Sequence, residues 1–181
     1  GDLNNVEDIS NIFKKFECLI NIASLGFGSA QSIIKASEEN SLKRTIFISS
    51  TSIYTLLNAK SKSVRIEAED LIKKSNLNWT IIRPTMIYGT PSDRNMIKLI
   101  KWIDKVKILP IFGQGNFLQQ PVNVKDLAWF IVAVVDKKEA FRNEFNISGK
   151  EPITFNEIII KISKNLRRNP IKIYLPQIIF S

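Results

Sequence analysis

Apolar residues gather in short unbroken runs separated by stretches of helical period. Cys18-Leu19-Ile20-Asn21-Ile22-Ala23 predicts a buried strand, and behind it Ala30, Ile33, Ile34 and Ser37 share one helix face. Thr45-Ile46-Phe47-Ile48 predicts a second strand, ending in Ser49-Ser50-Thr51, and Ala68, Leu71, Ile72 and Ser75 a second helical stripe. Trp79-Thr80-Ile81-Ile82 predicts a third strand, stopped by Arg83-Pro84 because proline cannot donate to a central ladder. Strands this continuously apolar, alternating with helices, point to a parallel sheet covered on both faces.

Beyond Gly89 the spacing loosens. Met96, Leu99, Ile100 and Ile103 mark a helix, followed by the strand-like Lys107-Ile108-Leu109 and a loop at Gly113-Gln114-Gly115. Asp126 stands as an N-cap before Leu127, Phe130, Ile131, Val134 and Val135. Glu144-Phe145-Asn146-Ile147 predicts a short strand, and Thr154-Phe155-Asn156-Glu157 has capping-box spacing ahead of Ile159, Ile162 and Leu166. Ile171-Lys172-Ile173-Tyr174-Leu175 alternates as a last strand. A seam at Gly89 to Asp93 is the expected passage from a sheet domain to a smaller lobe.

Composition narrows the chemistry. With 181 residues, 44% of them hydrophobic, the chain can bury a real core. One cysteine, Cys18, excludes an intrachain disulfide framework, and the absence of histidine excludes a Ser-His-Asp triad, a Cys-His dyad and a His-ligated metal. No metal is expected. The net charge of +9 raises the question of polyanions, but the lysines and arginines are scattered over polar faces, and no nucleic-acid partner is expected. No segment reaches the roughly 18 uninterrupted apolar residues of a membrane span, so a cytoplasmic protein with no membrane partner is expected. The first residue is Gly1 rather than an initiator Met, and the expectation is a piece of a longer chain.

In an open parallel sheet, ligands bind at the carboxyl ends of the strands. Ala23-Ser24-Leu25-Gly26, Ser49-Ser50-Thr51 and Arg83-Pro84-Thr85-Met86 occupy three successive strand ends with hydroxyls and small residues. Gly26-Phe27-Gly28 lies between strand and helix but has Gln31 where a dinucleotide fingerprint needs its third small residue. It reads as a tight turn.

The order of these motifs resembles the extended and atypical short-chain dehydrogenase/reductase superfamily, the NAD-dependent epimerase/dehydratase group. The resemblance rests on Phe47-Ile48-Ser49-Ser50-Thr51-Ser52-Ile53-Tyr54, on Glu69 through Arg83-Pro84, and on Ile87-Tyr88-Gly89. It continues through Gln120-Pro121-Val122-Asn123-Val124-Lys125-Asp126 and Phe145-Asn146-Ile147-Ser148-Gly149, spanning nearly the whole chain. It implies a Rossmann-like, doubly wound parallel sheet of α/β class whose N-terminal strands are missing, with a small α/β substrate lobe. Residues 1–90 would be the second part of the dinucleotide-binding domain, and 91–181 the lobe, partly returning to the sheet domain.

The resemblance also implies NAD or NADP as cofactor and assigns residues to it. Asp2 and Leu3 would border the adenine, Ala23 and Ser24 the ribose side, and Pro84 and Thr85 the nicotinamide. Ser50 would take the catalytic hydroxyl position that hydrogen-bonds the reacting substrate oxygen. The family's general base is a Tyr four residues before a Lys, yet Asn58, Ser92 and Ile178 follow the three tyrosines at that distance. Counting back from Glu69 puts Arg65 at the Lys position, able to keep the ribose contact, and Ser61 at the Tyr position. Met86 and Gln119 replace an Asn and an Arg that sugar-handling members often carry, which weighs against a UDP-sugar.

The expected function is therefore NAD(P)-dependent oxidoreductase or epimerase/dehydratase chemistry, with hydride transfer on an alcohol or ketone, nucleotide sugars included. The alternative is a catalytically impaired NAD(P)-binding regulatory or structural module, because the Tyr/Lys pair is absent. A small-molecule substrate is expected, and a homodimer is left open.

Overall fold

A computed structural model describes residues 2–56, 59–93 and 95–176. Gly1, Asn58 and Ile178 lie outside them. The chain forms two compact units, residues 1–85 with 127–147, and residues 86–126 with 148–181.

The first unit opens with helix α1 (Val6–Phe13), which the spacing readings above did not include. Asn5 caps it, its side chain accepting from the Glu7 and Asp8 amides, and Ile9 is the buried residue of its apolar face. Then come β1 (Cys18–Asn21), α2 (Ala30–Glu39), β2 (Arg44–Ile48), α3 (Lys60–Lys74) and β3 (Trp79–Pro84). The second unit holds β4 (Ile87–Tyr88), α4 (Met96–Lys105), β5 (Ile108–Phe112), β6 (Leu118–Gln119) and β7 (Val122–Asn123). Helix α5 (Val124–Ala133) leads back into the first unit, which ends with β8 (Asn143–Ile147). The second unit closes with β9 (Ile153–Thr154), α6 (Phe155–Leu166) and β10 (Ile171–Leu175).

The first unit is a four-stranded parallel sheet in the order β1-β2-β3-β8. Its two faces follow from strand alternation. Phe47 and Ile81 join Ile33, Ala36, Ala68 and Ile72 in a core beneath α1, α2 and α3. On the opposite face Phe130 of α5 meets Phe145 of β8 edge-on, with ring centroids 5.5 Å apart. Both faces are covered, as a doubly wound sheet requires.

The far, amino-terminal end of this sheet carries a buried arginine. Arg44 donates to the carbonyls of Asn78 (2.7 Å), Val134 (3.1 Å) and Val135 (2.9 Å) and to Thr80 Oγ1 (2.7 Å), and stacks over Phe141. Val134 and Val135 follow the last residue of α5, where a cation also meets the negative end of the helix dipole.

Two boundary expectations are corrected. Strand β3 runs on through Arg83 and Pro84, which pair with Asn146 and Ile147. Ser49 N donates to Ile82 O, so the even-numbered positions of β3 face β2, and β2 ends at Ile48. Pro84 thus lacks its donor on the side where no strand asks for one. Likewise α5 starts at Val124, and Asn123 Oδ1, not Asp126, accepts from the Lys125 amide at 2.9 Å; Asp126 lies in the first turn.

The second unit pairs β5 with β10 and β4 with β7 in parallel, and β6 with β9 antiparallel. Ile103, Leu109, Ile111 and Ile159 form its core. The Thr154–Glu157 capping box is present in both its bonds. Among the described residues no helix is long and apolar enough to cross a membrane.

Candidate dinucleotide site

Because all four strands of the first unit run parallel, their carboxyl ends share one edge. That edge collects Ala23 and Ser24 after β1, Ser49 and Ser50 after β2, Pro84 and Thr85 at the end of β3, and Asn146 and Ile147 on β8. Thr85 N donates to Ile147 O at 2.9 Å, and Thr51 Oγ1 to Pro84 O at 3.3 Å.

The hydroxyls on this edge are oriented by their own turns. Ser24 Oγ accepts from Gly26 N at 3.2 Å and caps a short helical turn at Leu25–Phe27. Ser50 Oγ accepts from Ser52 N at 3.1 Å and caps a similar turn at Thr51–Tyr54. A hydroxyl whose lone pair is fixed in this way keeps its O–H to donate.

Arg65 of α3 joins the two loops. Its Nη1 donates to Ser52 Oγ at 3.5 Å and to Ser61 O at 3.2 Å. Its guanidinium lies so close to Gly26 that a Cβ there would come within 3.3 Å of Cζ and Nη2. No carboxylate forms an ion pair with Arg65 among the described residues, which leaves a half-buried cation at the rim. Small residues and an uncommitted guanidinium fit the ribose and phosphate groups of a dinucleotide.

Asp2 and Leu3 precede the first helix, and Ser32 of α2 donates to the Asn4 carbonyl beside them at 3.3 Å. Asp2 and Leu3 are both exposed, and the Asp2 carboxylate accepts from the Asn4 amide (2.9 Å) and side chain (3.1 Å) in a local turn. Ser61 is exposed in the first turn of α3, one helical turn before Arg65.

Beneath the edge lies a charged cluster that the sequence reading did not assemble. Arg83, only 4% exposed, donates from Nε to both Glu69 oxygens (2.9 and 3.0 Å) and also pairs with Glu144. Lys73 closes the set on Glu144 at 2.8 Å, and Arg83 Nη1 donates to the Tyr54 hydroxyl at 3.2 Å. The hydrogen bonds it donates to Glu69 hold the Arg83 guanidinium well above the ordinary arginine range, against its burial. Burial pushes the Glu144 carboxyl up, but hydrogen bonds from Lys73 and Arg83, with their charges, bring it below the usual carboxylate range. The signal was in the sequence: a charge inside the otherwise apolar run Ile81-Ile82-Arg83 demands a buried counter-charge.

Cys18 is a free, exposed cysteine whose thiol partial burial raises above its ordinary range, which disfavours the thiolate. Residues 1–138 match the model of a family described as NAD(P)H-binding. The chain belongs to that family. The expected membership of an NAD(P)-binding family is borne out, as is a fold shared with NAD-dependent epimerases, and a nicotinamide dinucleotide is the family's cofactor class.

Among solved structures, this NAD(P)H-binding chain resembles the UDP-glucuronic acid 4-epimerase of Bacillus cereus in complex with NAD. The TM-score is 0.84 at 22% identity, covering 98% of this chain and 68% of the other. Among curated relatives it is 34% identical over 96 residues to the chloroplast stem-loop binding protein of 41 kDa b of Arabidopsis thaliana, covering 51% of this chain and 25% of that protein. It is 24% identical over 165 residues to the N-acetyl-alpha-D-glucosaminyl-diphospho-ditrans,octacis-undecaprenol 4-epimerase of Escherichia coli O157:H7, covering 81% of this chain and 49% of that enzyme. The chain thus spans a quarter to a half of the length of these curated relatives.

Proposed function

We propose that the chain serves an NAD(P)-dependent oxidoreductase or epimerase reaction on an alcohol or ketone. The observation that carries this reading is Arg65, a guanidinium with no carboxylate partner among the described residues, which lies against Gly26 of the Ser24 turn and bonds Ser52 at the carboxyl edge of a parallel sheet. Arg65 would hold the ribose or a phosphate, with Ala23 and Ser24 forming the flat rim beside it. Pro84 and Thr85 would back the nicotinamide ring, which supplies or accepts the hydride when bound.

Ser50 would donate its remaining O–H to the substrate oxygen as negative charge develops there. Ser61 stands where the family has its phenol and is a poor base. With Arg65 and Ser61 in place of the family's lysine and phenol, the proton would be drawn through the Ser50 hydroxyl from solvent to the substrate oxygen on reduction and returned by the same route on oxidation.

Calorimetric titration with the reduced and oxidised forms of NAD and NADP tests the binding half of this reading. Arg65→Ala should weaken the cofactor that binds by about tenfold, the cost of a lost charged hydrogen bond. Ser50→Ala should leave that binding intact and lower turnover on a responsive alcohol or ketone by about a hundredfold. If no dinucleotide binds, the proposal fails. Binding without turnover across a broad panel of alcohols and ketones would assign the chain to a binding or regulatory role instead.

The net charge of +9, beside a relative named for stem-loop binding, favours one second reading, contact with a nucleic-acid stem-loop. A gel shift with a stem-loop that survives moderate salt and is lost to excess NAD(P)H would support it. A shift abolished by salt and indifferent to the stem-loop's structure would reduce it to counterion release.

A further inference from the structure

The second unit contains a cavity of about 550 Å³, within the range of small-molecule sites. We propose that it binds a planar, largely apolar ring compound with at most one negative charge, and not a nucleoside diphosphate. The alcohol or ketone on that compound rests on the function proposed above; the ring rests on the cavity alone.

The walls are flat and aromatic. Phe117 and Phe155 stack with centroids 4.9 Å apart and planes inclined by 19°, and the bond from Phe155 N to Phe117 O at 3.1 Å fixes their approach. Trp102 and Leu99 come from one face of α4, where residues three and four apart share a side. The unit's core closes on Ile103, Leu109, Ile111 and Ile159, and leaves Trp102 41% and Phe117 47% exposed. Aromatic area left in water beside a concavity is area available to a ligand's ring.

Met86 and Met96 complete the lining, and thioethers adapt to the edge of a ring without imposing one shape. Lys98 is the single charged group among the described lining residues, and Gln119 supplies a neutral amide. One exposed lysine suits one carboxylate, sulfonate or phenolate. Two adjacent phosphates brought against this wall would lose hydration with one cation to answer them.

The test uses the full chain and three probes: naphthoate, its uncharged counterpart naphthol, and UDP-glucose. Naphthoate is expected to bind more tightly than naphthol, and Trp102→Ala to weaken both by about tenfold. Lys98→Gln should remove the preference for naphthoate while leaving naphthol unchanged. UDP-glucose should fail to displace either one. Absence of naphthoate binding, binding indifferent to Trp102→Ala, or displacement by UDP-glucose would each overturn the proposal. Dinucleotide binding is read separately through Arg65→Ala, so failure of the cofactor reading leaves this result interpretable.

Discussion

Replacing Arg83 by methionine is expected to cost about 3–5 kcal/mol of stability, because Glu69 would remain buried without a counter-charge. Glu69 is 3% exposed, and no other cation is paired with it among the described residues. Glu69→Gln should cost less, about 1–3 kcal/mol, since Arg83 keeps Glu144 and the Tyr54 hydroxyl. Replacing both members by apolar residues of similar volume should recover much of the loss. Urea denaturation of the three variants checks the ordering. A double replacement as damaging as Arg83→Met would contradict the explanation by an orphaned charge.

The same cluster sets a pH dependence. The Glu144 carboxyl lies below its ordinary range in the folded chain, so its ion pairs contribute fully above the unfolded carboxylate pKa of about 4.3. That contribution disappears as pH falls through the lowered folded value. The stability curves of the parent chain and of Glu144→Gln should therefore lie apart at neutral pH and converge in acid. Curves that stay parallel would show that Glu144 does not titrate in step with folding.

Gly149→Ala is expected to cost roughly 2–3 kcal/mol by overpacking, equivalent to a fall in melting temperature of about 4–12 °C. A Cβ at this position would run into the Pro121 carbonyl oxygen, and a backbone atom cannot swing away as a side chain does. The two strands of chain are further joined by Gln120 Nε2, which donates to Gly149 O at 2.7 Å. Gly28→Ala is the control: it meets nothing within 4 Å, so its cost, about 1 kcal/mol, reflects only the strain of a φ of 85°. Equal losses at both positions would mean that the close approach at Pro121 relaxes. The result bears on the sequence pattern too. The Gln120-Pro121 and Ser148-Gly149 segments, read separately as motifs, are two sides of one contact.

The parallel sheet was legible because its central strands are apolar without interruption, which is what burial on both faces produces. The pairs formed by β4, β6, β7 and β9 were not, since two residues cannot display a period of two. Helix α1 announced itself through Asn5, Glu7, Asp8 and the apolar Val6 and Ile9, but over two turns the stripe is short. Of the candidate site, the strand-end positions Ser24, Ser50 and Pro84 could be read directly, since parallel strands carry their ends to one edge. The reach of Arg65 across Gly26 to Ser52 could not, because a long side chain's destination is decided by packing rather than by spacing.

Arg44 gives the sheet a polarity of another kind. Burial lowers its pKa, yet an arginine keeps its proton, and its hydrogen-bonding partners are carbonyls and a hydroxyl, none of which titrates. Its rivets at the amino-terminal end are therefore indifferent to acid, whereas those under the carboxyl edge include the ionised Glu144. On acidification the sheet should open like a book bound at the Arg44 spine, with the carboxyl edge the first to part.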